Sequence, residues 1–160
     1  MFRYTKNCVI SGILFYVSTL FSCAPAHESK WAMDLLLQEE FVIYHSVVSI
    51  PKPLIDEISS PDDVIVIAEP DEVFNKTNEL VNNLSPRRLI FAGQSGKHWF
   101  IYYEQGEWRR TDNILALFEL TNEQVIPKIK LRFSHSNKVQ DFTLLKDLIL
   151  LNRVMTFKSS

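Results

Sequence analysis

Three kinds of hydrophobic pattern follow one another along this chain. From Val9 to Phe21 runs a 13-residue apolar stretch broken only by Ser11, Gly12, Ser18 and Thr19. Residues 29–40 then place Trp31, Leu35, Leu36 and Glu39 at helical spacing behind Ser29, which predicts a capped helix. Phe41 to Ile50 (FVIYHSVVSI) is β-branched and aromatic and predicts a strand that Pro51 and Pro53 end, followed by a polar, linker-like stretch through Ser59, Ser60 and Pro61. Val64 to Ala68 (VIVIA) has the form of a short buried strand. Val73, Phe74, Thr77, Leu80, Val81 and Leu84 recur every three or four residues and predict a helix with Pro70 in its first turn and Pro86 beyond its end.

The second half of the chain changes period. Leu89–Gly93 and His98–Tyr103 predict two strands around a turn at Gln94–Lys97. A tight turn at Glu104-Gln105-Gly106-Glu107, with Gly106 at positive φ, leads to a return strand over Trp108–Arg110 that Asn113–Leu120 continues or follows. Pro127–Phe133 alternates, with Ile129, Leu131 and Phe133 on one face and Lys128, Lys130 and Arg132 on the other. Asp141 caps a last helix carrying Phe142, Leu145, Leu148 and Ile149. The order α-β-β-α-β-β-β-β-α predicts a single α+β domain. Its sheet is mainly antiparallel, a meander around residues 88–133, packed by two or three helices.

Composition agrees with a packed core: 46% of the 160 residues are hydrophobic and 22% charged. The net charge of −2 is the sum of opposed regions. Residues 28–85 hold 12 acids and 3 bases, residues 86–126 hold 5 of each, and residues 127–160 hold 2 acids and 7 bases. Such ends make a strong dipole if they lie apart and cancel if they pack together. No overall basic excess points to nucleic acid as a partner.

The apolar stretch near the N-terminus has the parts of an export signal. Arg3 and Lys6 precede it, and it is shorter than the about 20 apolar residues a transmembrane helix needs. It ends in Leu20-Phe21-Ser22-Cys23, which resembles the lipobox of bacterial lipoprotein signal peptides. Leu20, Ser22 and Cys23 carry the match, and Phe21 stands where a small or β-branched residue is usual. The resemblance implies cleavage before Cys23, with residues 1–22 as signal peptide and residues 23–160 as the mature domain behind a short tether at 23–28. It also implies acylation of the Cys23 thiol with diacylglycerol and palmitate, and a membrane contact through that lipid. Ala24 after the cysteine resembles the pattern of lipoproteins passed on to the outer membrane, facing the periplasm. Two other outcomes remain open: cleavage at the Ala24-x-Ala26 site, releasing a periplasmic or secreted protein, or retention as an uncleaved anchor. With residues 1–22 gone, 15 bases face 19 acids, and with Cys8 lost and Cys23 acylated or removed the domain has no disulfide.

Chemistry-bearing motifs are sparse. Gly93-Gln94-Ser95-Gly96-Lys97 lacks the spacing of a phosphate loop and the following Ser or Thr, so it reads as a hairpin turn. His27, His45, His98 and His135 stand apart from one another and from cysteine, which predicts no metal site, and no cofactor motif occurs. Asp62, Asp63, Glu69, Asp71 and Glu72 read as turn and helix-start acids. The strongest local surface is the meander, where His98, Trp99, Arg109 and Arg110 combine aromatic and charged groups. Lys128, Lys130 and Arg132 add a basic row suited to an anionic surface, or to ordinary strand solvation. The expected function is a small cell-envelope lipoprotein with a binding or accessory role. The alternatives are an immunity or inhibitor protein acting through protein contact and, third, a small periplasmic hydrolase.

Overall fold

A computed structural model describes residues 26–59, 67–76, 84–107, 110–122, 124–133 and 139–157. They form one α+β domain around a five-stranded, wholly antiparallel sheet whose spatial order follows the chain. Its strands are β1 (Val42–Tyr44), β2 (Arg87–Ser95), β3 (His98–Glu107), β4 (Arg110–Thr121) and β5 (Gln124–Phe133). The helices are α1 (Ala26–Gln38), α2 (Lys52–Glu57) and α3 (Phe142–Phe157). Ala68 makes an isolated parallel bridge to Arg88, which extends the β1 edge of the sheet. No helix among the described residues is long and apolar enough to cross a membrane.

Both faces of the sheet are covered. On one, Phe91, Phe100, Tyr102, Leu115, Leu117 and Phe133 meet Ala32, Leu35 and Leu36 of α1 and Leu145 and Ile149 of α3. On the other, Trp99, Ile101, Tyr103, Ile114, Ala116 and Phe118 meet Ile50, Leu54, Ile58 and Ile67. Covering both sides explains why β3 and β4 are nearly continuous apolar runs rather than the alternating pattern of a one-sided antiparallel sheet. Asp141 accepts the Leu144 N–H at 2.9 Å and so caps α3 as expected.

Two hairpins turn on residues in the left-handed region. Gly96 (φ +54°) lies between the paired Ser95 and His98, and Asn122 (φ +47°) between Thr121 and Gln124. Glycine and asparagine enter that region at least cost. Gly93 answers a different demand, because a Cβ there would run into the Phe100 ring on the neighbouring strand.

Several local expectations are corrected. The strand expected over Phe41–Ile50 stops at Tyr44, and Val47–Ser49 is a 3₁₀ turn. The cause is Glu69, whose carboxylate accepts the Val47 N–H at 2.9 Å and the Ser46 hydroxyl at 3.1 Å. The Pro51–Ser59 stretch contains α2, because Pro51 and Pro53 sit at the helix start, where their missing N–H groups cost nothing. Val73–Lys76 are not helical, and Asn75 N–H donates to the Ser85 carbonyl at 2.8 Å. A continuous helix would hold those residues about 15 Å apart at its rise of about 1.5 Å per residue. Residues 77–83 of that expected helix and 64–66 of the VIVIA strand lie outside the described residues.

The turn expected at Glu104–Glu107 is strand instead: Glu104 pairs with Asn113, Gln105 with Asp112 and Gly106 with Thr111. Gly106 has no positive φ, and its N–H donates to the Pro86 carbonyl at 3.0 Å. Finally, the alternation of β5 is not strict. A bulge opposite Leu117 and Phe118 falls at Pro127 and Lys128, where proline has no N–H for the ladder.

Candidate functional site

A cleft lies beside this bulge among the described residues. It lies where α2 ends against β4 and β5. Ala116, paired with Ile101 and Lys130, is the small residue between Ile114 and Phe118 on its face of β4. α2 is only six residues long and its last turn, at Glu57 and Ile58, does not fill the notch that Ala116 leaves. The result is a cleft of about 240 Å³ lined by Ile58, Ala116, Phe118 and Pro127, with Glu57, Lys128 and Lys130 at its rim. An apolar floor with a few charged groups at the edge is the usual composition of a small-ligand site. The Lys130 ammonium stands 6.0 Å from the centre of the Tyr103 ring.

One end of the cleft runs into a surface ion network. Glu119 Oε2 receives Lys128 at 2.8 Å and Glu119 Oε1 receives Lys97 at 2.6 Å. These two ammonium hydrogen bonds hold the Glu119 carboxyl down at about 2. The Lys128 ammonium is also 6.0 Å from the Trp31 ring of α1, and Trp31 meets His98 edge-on at 5.9 Å. His98 Nδ1 lies 3.3 Å from the Glu39 carboxylate. The bulge therefore turns Lys128 toward the α1 side, away from the face that Lys130 occupies.

The opposite end of the sheet is polar and buried. Glu104, Asp112 and Asn113 are 3%, 3% and 0% exposed. Glu104 receives Arg88 Nε at 2.8 Å, and Asp112 receives Arg132 at 3.0 Å. Tyr103 is fully buried and its hydroxyl has no hydrogen-bond partner among the described residues, nor do the side-chain amide atoms of Asn113 or the side-chain Oε1 of Gln105. Burial pushes the Tyr103 hydroxyl up to about 12, against the pull of the nearby Arg87 and Arg132 cations. Buried polar atoms in folded proteins are nearly always paired, so such a group is a place to look for a ligand or a water.

No family model, curated protein or solved structure matches this chain. Its site is defined by geometry alone. Of the residues singled out from sequence, Lys128 and Lys130 line the cleft, and Arg132 lies next along Lys130's face of β5, bound to Asp112. His98 belongs to the Glu39 and Trp31 cluster, and Trp99 is 5% exposed, stacked on Tyr44 at 5.5 Å. Arg110 opens β4. Cys23, Trp108, Arg109, His135 and the side chain of Arg110 lie outside the described residues. The structure thus brings two of the expected residues to one site and places His98 and Trp99 elsewhere.

Ala116, Phe118 and Ile58 were not legible as site residues, since each reads as ordinary core. Glu119 and Glu57 carried no motif either. A usable signal was Pro127 next to an alternating strand, because proline within a ladder marks a bulge or an edge. The charge segregation has a structural outcome as well. α1 and α2, both from the acid-rich stretch, touch β5, the basic strand, so the two ends of the sequence pack together.

Proposed function

We propose that this protein is an exported cell-envelope lipoprotein, held by an acylated Cys23 to the outer membrane and facing the periplasm, whose domain acts by binding. What supports the tether is the join between leader and fold. α1 begins at Ala26, three residues after Cys23, and so takes in part of the stretch 23–28 expected as a tether. The first helix therefore starts within a few residues of the lipid, and the domain is carried close to the bilayer surface.

The observation that carries the binding role is the cleft between α2 and β4–β5. It presents apolar surface and charged rim groups, while the neighbouring Glu119 is held in ion pairs by Lys97 and Lys128. Acyl chains contribute about 0.8 kcal/mol of membrane affinity per buried methylene, so a multiply acylated cysteine is a stable anchor. Radiolabelled palmitate fed to expressing cells tests this reading. Wild-type protein is expected to take up label and to fractionate with the outer membrane, whereas Cys23→Ala takes up none. Equal labelling of both, or no label in either, overturns the tether.

A further inference from the structure

A lipid at Cys23 brings the domain to a bilayer without deciding which side of it meets the surface. We infer that α3 lies on that bilayer, with Leu144, Leu148 and Leu151 pressed into the headgroup region. This inference rests on the Cys23 tether, and three observations carry it.

The first is the composition of α3. Ten of its 16 residues are apolar, yet it packs on the sheet through one side, with Leu145 and Ile149 buried. Leu144, half-buried Leu148 and Leu151, at spacings of four and three, form a second stripe. Leu144 is 50% exposed and Leu151 62%, and Leu150 is exposed beside them. Of the eight large apolar residues that stand exposed among the described residues, three are therefore gathered in two turns of one helix.

The second is where α3 puts its charge. The Lys146 ammonium donates to the carbonyls of Leu37 and Glu39 at the end of α1, at 3.4 and 3.3 Å, and stands 4.7 Å from the Phe142 ring. It is folded back onto the domain. Asp147 is then the only exposed charged residue among the described side chains of α3. A solvated surface helix carries charge across its outer side, whereas this one keeps leucine there, as a helix lying in a membrane interface does. With 16 residues it is shorter than the about 20 needed to span a bilayer.

The third is reach. Three residues separate Cys23 from Ala26, the start of α1. They extend to at most about 11 Å, whereas a domain of this size has a radius of gyration of about 14 Å. So short a tether holds the α1 side of the sheet toward the lipid. α3 is on that side, in the same core cluster as α1, and α2 is behind the sheet. A second copy is a poorer occupant of the stripe. Three leucines exposed by about half offer on the order of 300 Å², against about 800 Å² per partner in a stable interface.

Site-directed fluorescence tests the contact. With residues 1–22 gone and Cys23 acylated, one introduced cysteine is the only thiol of the mature chain. The acylated protein is placed in vesicles of phosphatidylethanolamine and phosphatidylglycerol. It carries a nitrobenzoxadiazole label at Leu151→Cys, at Leu144→Cys or, behind the sheet, at Lys52→Cys, whose side chain is 81% exposed. Nitroxide-bearing lipids are expected to quench the labels at 151 and 144 at least about twofold more than the label at 52, since an interfacial helix sits about 5–10 Å deep. Failure of either α3 position to exceed position 52 overturns the inference. A thiol cross-link between two Leu151→Cys chains, without lipid quenching, overturns it in favour of a second copy. Palmitate at Cys23 without quenching at α3 leaves the tether standing and overturns only the helix contact. Absence of palmitate overturns the tether, and this inference with it.

Discussion

The two faces of the sheet are built from the same strands but closed in different ways. On one, the 13 residues of α1 and the 16 of α3 cover a continuous aromatic core. Phe100 is its centre, with Phe142 stacked at 4.9 Å, Phe41 at 5.1 Å and Phe91 at 5.9 Å. On the other, the cover among the described residues is a six-residue helix, a 3₁₀ turn and irregular chain around Ile67. Among the described residues, this short cover over a floor that includes the small Ala116 leaves the cleft. Long helices close a face to the density of a protein interior; short pieces leave room for a guest.

The largest test of this difference is a pair of truncations. Phe100→Ala removes the ring at the centre of the closed face and is expected to cost toward the upper end of about 3–5 kcal/mol. Phe118→Ala removes a ring that already borders open space, so fewer packing contacts are lost, and a cost near the lower end of about 3–5 kcal/mol is expected. Urea denaturation of both variants with a common m-value measures the gap. Equal losses would show that the cleft-bearing face is as tightly packed as the other.

The same contrast explains what could be read in the sequence. The meander was legible because its apolar runs and its Gly96 turn are local signals, and each appears in the structure. Asp141 and the spacing of Leu145 and Ile149 likewise announced α3. The weakly covered face was the one misread. Its pieces are set by contacts distant in sequence, such as Glu69 gripping Val47 across 22 residues and Ser85 receiving Asn75. Pro51 and Pro53 read as breakers because nothing in their immediate neighbourhood distinguishes a strand's end from a helix's first turn. Gly106 read as a turn residue, although its place in β3 depends on Pro86. Lys128 and Lys130 were visible as a basic pair, but their separation by a bulge and the notch at Ala116 depend on the pairing of β4 with β5.

A smaller effect compares neighbours. Tyr102 and Tyr103 are adjacent, fully buried and on opposite faces of β3. Burial pushes the Tyr102 hydroxyl up to about 12, and a hydrogen bond with the Val139 backbone pulls the other way. The Tyr103 hydroxyl has no such partner among the described residues. Tyr102→Phe is therefore expected to cost about 1 kcal/mol, and Tyr103→Phe to be neutral or stabilising by about 1 kcal/mol, since a buried donor without a partner carries only its desolvation cost. Denaturant titration at pH 7 separates the two. Both native hydroxyls ionise later than in an unfolded chain, so their contribution is complete below pH 10 and is lost as pH rises toward about 12.

The smallest expected effect lies at the rim of the cleft, on the ion network that joins the faces. Lys128 and Lys97 hold the Glu119 carboxyl at about 2, below its ordinary 4.5. A group whose native pKa is depressed stabilises the fold above its unfolded value and loses that contribution as pH falls through its native value. Wild type is accordingly expected to melt above Glu119→Gln from pH 7 down to about 4.5, and the gap to close between 4.5 and about 2. Salt should narrow the same gap at neutral pH, because the network is at the surface and screened. A gap that persisted undiminished at pH 2 would mean that Glu119 acts by shape.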